Sequence, residues 1–192
     1  MVKTASQMLP LGTVAPDFDL PDGRGVRHSL RSAIGRPALV LFLCNHCPFV
    51  KHIAAGLAAL GRDYAGKEVA LFASNSNDFE AYPDDAPAKM AAEAKAQGWT
   101  FPYLVDADQS VAKAYRAACT PDVFLFDRGH RLVYRGQFDA SRPGNGVPVT
   151  GADLRAALDA VLAGKAPNAQ QQPSIGCNIK WRPGNAPAYF AG

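Results

Sequence analysis

Apolar residues along this chain gather into short blocks, and their spacing changes from block to block. Residues 37–43 (PALVLFL) form a continuous apolar run that ends on a cysteine. A run this brief and this rich in strand formers predicts a strand buried on both faces. After it, Ile53, Leu57, Leu60 and Tyr64 recur every three or four residues, the period of a helix with one buried stripe. Pro48 stands where that helix would start, and its missing N–H is harmless in a first turn. Residues 68–74 (EVALFAS) predict a second strand, 74–85 a polar loop, and 86–98 a helix closed by Gly98.

Residues 18–30 alternate around Asp22-Gly23 and Gly25, a hairpin signal. Residues 101–106 predict a short strand, 109–117 a helix, and 122–136 a second hairpin turning near Arg128-Gly129. A last helix spans 151–164, with Thr150 and Asp153 as an expected capping pair. Strands alternating with helices imply parallel pairing, and the late hairpin adds antiparallel strands. The expected fold class is α/β, a mixed central β-sheet flanked by helices on both faces, with an N-terminal β-hairpin. Residues 1–164 are the expected domain. From Lys165 to residue 192 the chain is rich in Pro, Gln, Asn and Gly, and an irregular C-terminal tail is expected. Ile175, Trp181, Tyr189 and Phe190 indicate that this tail packs on the domain.

With 192 residues, 48% of them hydrophobic, the chain is long enough for one well-filled core. Its net charge of +3, with both signs interspersed, argues against nucleic acid or a membrane surface as partner. Residues 1–18 contain no apolar signal-peptide core, and no run approaches the length of a membrane span, so a cytoplasmic location is expected. In a reducing compartment the four cysteines, Cys44, Cys47, Cys119 and Cys177, are not expected to be permanent staples.

Cys44 and Cys47 lie in residues 41–50 (LFLCNHCPFV), directly after the buried strand and before the helix. Such a pair reads as a metal clamp, as inert packing or as a redox dithiol. A structural zinc site normally adds a second ligand pair, and neither Cys119 nor Cys177 has a Cys or His close by in sequence. The strand-CxxC-Pro-helix context favours redox chemistry. Unpaired N–H groups at a helix start stabilise a thiolate, lowering its pKa from about 8.5 toward roughly 3.5–7.5. Cys44, facing that helix start, is the candidate nucleophile. Cys47, one turn away, can attack a mixed disulfide on Cys44. His46 either adds positive charge that lowers the Cys44 pKa or simply sits at the surface. Lys51, His28, His52 and His130 read as ordinary polar positions. Thr120-Pro121 precedes a predicted buried strand, where a proline marks the strand's first residue or a cis bend. Cys177 reads either as a third redox thiol near the site or as a small packing residue, and Cys119 more readily as packing.

Three segments carry a family resemblance: residues 12–25 (GTVAPDFDLPDGRG), 39–50 (LVLFLCNHCPFV) and 119–127 (CTPDVFLFD). Together they resemble the thioredoxin-like superfamily, in the branch holding TlpA-type oxidoreductases and the AhpC/TSA (peroxiredoxin) proteins, over roughly residues 12–164. Residues 44–50 with 174–181 (SIGCNIKW) are most similar to a peroxiredoxin-like subgroup of that branch. The resemblance implies a thioredoxin fold, Cys44 as nucleophile, Cys47 as resolving thiol, Pro121 as a cis-proline and Thr120 as a contact for the incoming substrate.

The chain departs from the peroxiredoxin pattern Pro-x-x-x-Thr/Ser-x-x-Cys. Counted back from Cys47, the Thr position holds Cys44 and the Pro position Val40; counted back from Cys44, Pro37 fits but Leu41 replaces the Thr. Pro121 stands where those proteins carry an arginine, and Ala38 where thioredoxin keeps a buried Asp. Peroxide oxygens would lack donors for their developing charge. A thiol–disulfide oxidoreductase is therefore expected, acting on a protein or small-molecule disulfide and drawing electrons from an external thiol donor, with no bound cofactor. The rivals are a peroxiredoxin-like thiol peroxidase and a metal-binding module using Cys44, His46 and Cys47, since soft thiolates with imidazole suit Cu(I) or Zn.

Overall fold

A computed structural model of the chain describes residues 3–190. Its centre is the predicted apolar run, which forms β4 (Ala38–Phe42), with every residue buried. The run is uninterrupted because both faces are covered. Leu39 and Leu41 face one cluster with Ile53, Leu57 and Leu158. Val40 and Phe42 face the other with Phe72, Phe124 and Tyr115. Parallel to β4 lies β5 (Ala70–Asn75), in a register that sets Phe42 opposite Ser74. β6 (Tyr103–Val105) continues the sheet in parallel. On the other side of β4 come β8 (Asp122–Phe126) and then β9 (Leu132–Arg135), both antiparallel, giving the order β6-β5-β4-β8-β9. The mixed sheet is as expected.

The helices divide unequally between the faces. α1 (Pro48–Tyr64), α2 (Pro87–Gln97) and α4 (Ala152–Leu162) contribute to the first cluster. α3 (Ser110–Ala114) is short and shares the second face with Phe18 and Leu30 from the N-terminal segment. There Tyr115 sits among Phe18, Phe42, Phe124 and Phe126, with ring centroids 5.6–6.4 Å apart. The N-terminal hairpin is present as β2 (Asp19–Pro21) and β3 (Arg27–Ser29). Gly98 closes α2 in the left-handed region, as predicted. The capping pair does not form. Asp139 already takes the N–H groups of Thr150 and Gly151, and Asp153 accepts instead from Gln137 Nε2 at 2.6 Å.

The largest departure from expectation is at the two ends. β1 (Lys3–Ala5) pairs antiparallel with β10 (Ile175–Asn178), which pairs antiparallel with the two-residue β7 (Cys119–Thr120). The segment after Lys165 is thus not wholly irregular: it supplies the middle strand of a second, three-stranded sheet. Two features hold it. Ile179 is buried in the second cluster. Beyond the strand, Lys180 N donates to Asn77 Oδ1 at 2.9 Å, and Lys180 O accepts from Asp78 N at 2.8 Å. The polar loop after β5 therefore grips the tail.

β10 can approach β7 this closely because residue 176 is glycine. A Cβ there would lie 1.9 Å from Thr120 O, a backbone atom that cannot step aside. Gly176→Ala is expected to lower stability by about 3 kcal/mol, as overpacking in a filled interior does, measured as the shift in urea unfolding. An unchanged midpoint would contradict the close contact.

Candidate redox site

β4 ends at Phe42, and two residues later the chain turns into α1 with Cys44 at the turn and Cys47 as the N-cap. Pro48 occupies the first turn, as expected. Across the gap stands Thr120, the last residue of β7, followed by a cis peptide bond to Pro121. The proline is therefore the cis-proline that the resemblance implied. Thr120 touches both sulfurs. Its Oγ1 lies 3.3 Å from Cys44 Sγ, and its carbonyl oxygen 3.1 Å from Cys47 Sγ. Cys44, Cys47, Thr120 and Pro121 thus meet at one point, with Cys44 1% and Cys47 0% exposed.

His46 stands close to Cys44 but makes its shortest contact with another residue. Its Nδ1 lies 2.7 Å from Asp85 Oδ2, and its ring stacks on Tyr82. Asp85 also accepts from Asn45 N at 2.7 Å, Asn75 Nδ2 at 3.0 Å and Asn77 Nδ2 at 2.9 Å. Burial works to raise the Asp85 pKa, but His46 and these donors outweigh it and hold the carboxyl below its ordinary value. The Asp85 carboxylate is thus the nearest partner of His46, with the Cys44 sulfur within 4.8 Å of the same ring.

The surroundings of the two thiols push in opposite directions, against the expected order of acidity. The hydrogen bond with Cys47 pushes Cys44 well up, and burial and the nearby Asp85 carboxylate push the same way. Cys47 falls to about 4. The Cys44 thiol supports its anion first, burial opposes it, and the Cys177 thiol, Val50 N–H and Cys177 N–H add further support. The Thr120 carbonyl resists an anion on Cys47, yet the donors outnumber it. These surroundings favour the proton on Cys44 and the charge on Cys47. The helix-start argument was sound, but it applies to Cys47, the residue that caps the helix.

Sequence reasoning missed Asp85 and Asp122, and left Cys177 open between a third redox thiol and a packing residue. Asp85 comes from the predicted polar loop, which closes in a 3-10 turn at Pro83–Asp85. Parallel pairing of β4 with β5 was the available signal, because it brings the loop after Ser74 to the same sheet edge as Cys44. Cys177 Sγ lies 3.0 Å from Cys47 Sγ, since Cys177 stands opposite Thr120 in the β10–β7 pairing. Asp122, beside Pro121, is fully buried and accepts from Ala118 N and Val123 N at 3.1 Å each. Burial lifts its carboxyl to about 7. Cys119 lies apart from the sulfur contacts, its Sγ 3.5 Å from Pro121 O.

The metal reading also changes its ligands. The side-chain donors that converge are Cys44, His46 and Asp85, within 4.8 Å of one another, with Cys47 outside the group. Both Asp85 oxygens already serve backbone or amide donors.

A mixed five-stranded sheet with a CxxC ahead of its first long helix, faced by a cis-proline, defines a thioredoxin-like protein. The fold matches the thioredoxin domain of thiol-disulfide oxidoreductase BVU-2223 from Bacteroides vulgatus, with a TM-score of 0.56 and 18% identity over 66% of this chain and 88% of that one. Residues 11–135 match the family described as AhpC/TSA, and the chain belongs to that family. It is 27% identical to the thiol-disulfide oxidoreductase ResA of Geobacillus kaustophilus over 127 residues, 65% of this chain and 68% of that protein. A crystal structure of the hypothetical protein SMc02350 from Sinorhizobium meliloti 1021 is 56% identical, with a TM-score of 0.92 over 94% of this chain and 100% of that one. These similarities support a thioredoxin-like redox role.

Asp122 generates a pH prediction. Its carboxyl holds a proton in the folded chain up to about pH 7, while the unfolded value is 3.8. Its contribution is complete below the unfolded value and is lost as pH rises toward the folded one, by about 1.4 kcal/mol per pH unit. Asp122→Asn stays neutral. Relative to the parent, the variant is expected to gain stability between pH 4 and 7 in urea unfolding and to hold that gain above. Parallel profiles would contradict an elevated Asp122 pKa.

Proposed function

We propose that the protein is a thiol–disulfide oxidoreductase that works through Cys44 and Cys47. The observation that carries this reading is Thr120, whose hydroxyl and carbonyl hold the two sulfurs on one residue beside the cis-proline. Cys47 is enclosed by Thr120 and Cys177, whereas Cys44 lies near His46, whose side chain is 25% exposed. Cys44 is therefore the thiol that meets substrate, and Cys47 acts first as its base.

In the first step the shared proton passes from Cys44 to Cys47. The Cys44 thiolate attacks one sulfur of a substrate disulfide, forms a mixed disulfide and expels the other sulfur as a thiolate. That thiolate takes the proton back from Cys47. Cys47 then attacks Cys44 Sγ, closes the Cys44–Cys47 disulfide and releases the second substrate sulfur as a thiolate, which takes its proton from solvent. Two electrons have moved to the substrate, and two thiols of an external donor restore the dithiol. Thr120 Oγ1 stands where it can donate to the Cys44 thiolate.

Membership of the AhpC/TSA family keeps peroxide reduction as the second reading. Thr120 Oγ1 restores one hydroxyl beside Cys44, but Pro121 still occupies the arginine position, so one donor to the peroxide oxygens is absent. Disulfide exchange is favoured.

Cys47→Ser is expected to accumulate a mixed disulfide on Cys44 when incubated with a substrate disulfide, whereas the parent releases it. Intact-mass spectrometry reads the adduct; attachment at another cysteine would overturn the assignment of Cys44. In stopped-flow mixing with hydrogen peroxide, the parent is expected to oxidise about a hundredfold or more slowly than a dedicated peroxidase, the loss typical of one missing charge-stabilising donor. A rate equal to such an enzyme would favour the second reading.

A further inference from the structure

β10 places a third sulfur against the pair. Cys177 is 4% exposed, and its Sγ is 3.0 Å from Cys47 Sγ, within about 1 Å of the S–S bond length of about 2.05 Å. The position is fixed from both sides: Cys177 is paired with Thr120 of β7 and with Lys3 of β1. Gly176 permits the close approach, and Lys180 anchors the chain beyond. A cysteine chosen only for packing needs no sulfur partner, whereas here the contact is with the atom that changes oxidation state.

We propose that Cys177 is a further catalytic thiol that exchanges with the Cys44–Cys47 disulfide, forming a Cys47–Cys177 bridge and returning Cys44 to the thiol state. The inference rests on the dithiol reading above and extends it. The step balances internally. Cys177 sulfur bonds to Cys47 sulfur, the Cys44–Cys47 bond breaks, and the proton lost by Cys177 ends on Cys44. No outside oxidant or reductant enters.

The surroundings order the events. In the reduced protein, burial, the hydrogen bond with Cys47 and the charge on Cys47 keep Cys177 protonated, at about 12. Once Cys47 is bonded to Cys44 its charge is gone, and with it both restraints that Cys47 imposed. Lys180, which favours the Cys177 thiolate, remains. Asp85, near Cys44, favours the protonated product there. Cys177 is therefore held inert until the first disulfide has formed. The bridge then stores the oxidised state between β10 and the start of α1, and leaves Cys44 able to engage a second molecule.

The test is disulfide mapping of the full chain, oxidised with glutathione disulfide, quenched in acid, alkylated and digested. Trypsin leaves Cys44 and Cys47 on one peptide ending at Lys51, and Cys177 on another ending at Lys180. A Cys47–Cys177 bridge therefore joins two peptides, whereas a Cys44–Cys47 bridge lies within one. The parent is expected to give both forms, with Cys44 alkylated in the joined form. Cys44→Ser is expected to give the joined form alone. In Cys177→Ser, oxidised molecules carrying alkylated Cys44 should be lost completely. If the parent gives the Cys44–Cys47 form without the joined peptides, and Cys44→Ser ends with glutathione on Cys47 and alkylated Cys177, the inference is overturned while the dithiol reading stands. If the parent forms no Cys44–Cys47 bridge and traps no substrate, the dithiol reading itself fails.

Discussion

Thr120 is the residue on which the site depends. Its hydroxyl meets Cys44, its carbonyl meets Cys47, and its strand partner is Cys177. Three sulfurs from two distant parts of the chain, the CxxC and β10, meet at one residue of a two-residue strand. That strand is itself set by β8, which follows Pro121 directly and pairs with β4 from Phe42–Asp122 onward. The same β4 leads into the CxxC. Both halves of the site are thus read off one buried strand, so a shift of register in the central sheet would part the sulfurs from Thr120.

The electrostatics follow from enclosure. Water cannot stabilise a thiolate at sulfurs that are almost fully buried, so nearby protein groups decide where charge resides. Around Cys47 the donors outnumber the one acceptor, the Thr120 carbonyl. Near Cys44 stands Asp85, itself satisfied by His46 and three N–H groups and therefore unable to leave or neutralise easily. The result is a proton on Cys44 and an anion on Cys47. In the proposed reaction the anion serves as an internal base, which gives the buried pair an acceptor where thioredoxin's buried Asp position holds Ala38.

Much of this was legible in the sequence. The brevity and composition of the run at 37–43 favour a strand covered on both faces, and Pro48 fits the first turn of the helix after it. Together they fix Cys44 and Cys47 at a sheet edge. The partner residues Thr120 and Pro121 came from the family resemblance, since a proline before a strand is ambiguous by itself. What could not be read was long-range pairing. Residues 3–5 and 175–178 carry no alternating pattern strong enough to predict strands, because such short segments are defined by their neighbours rather than by their own propensity. The role of Asp85 was hidden for a related reason. A polar loop looks solvated in sequence, yet Asn75, Asn77 and Asp85 are buried because they satisfy one another. His46 could be read only against Cys44 or as a surface residue, because its partner Asp85 lies thirty-nine residues away in sequence.

The claim that ties these parts together is that a buried pair shares one proton and leaves the negative charge on Cys47. Ultraviolet thiolate absorbance, titrated against pH in the reduced parent, in Cys44→Ser and in Cys47→Ser, measures it directly. The account predicts one thiolate in the parent at neutral pH, protonating in the acid range near the value of about 4 set by its surroundings, and loss of that thiolate in Cys47→Ser. Absorbance that first rises in alkaline solution, or an acidic thiolate that survives in Cys47→Ser and vanishes in Cys44→Ser, would contradict it.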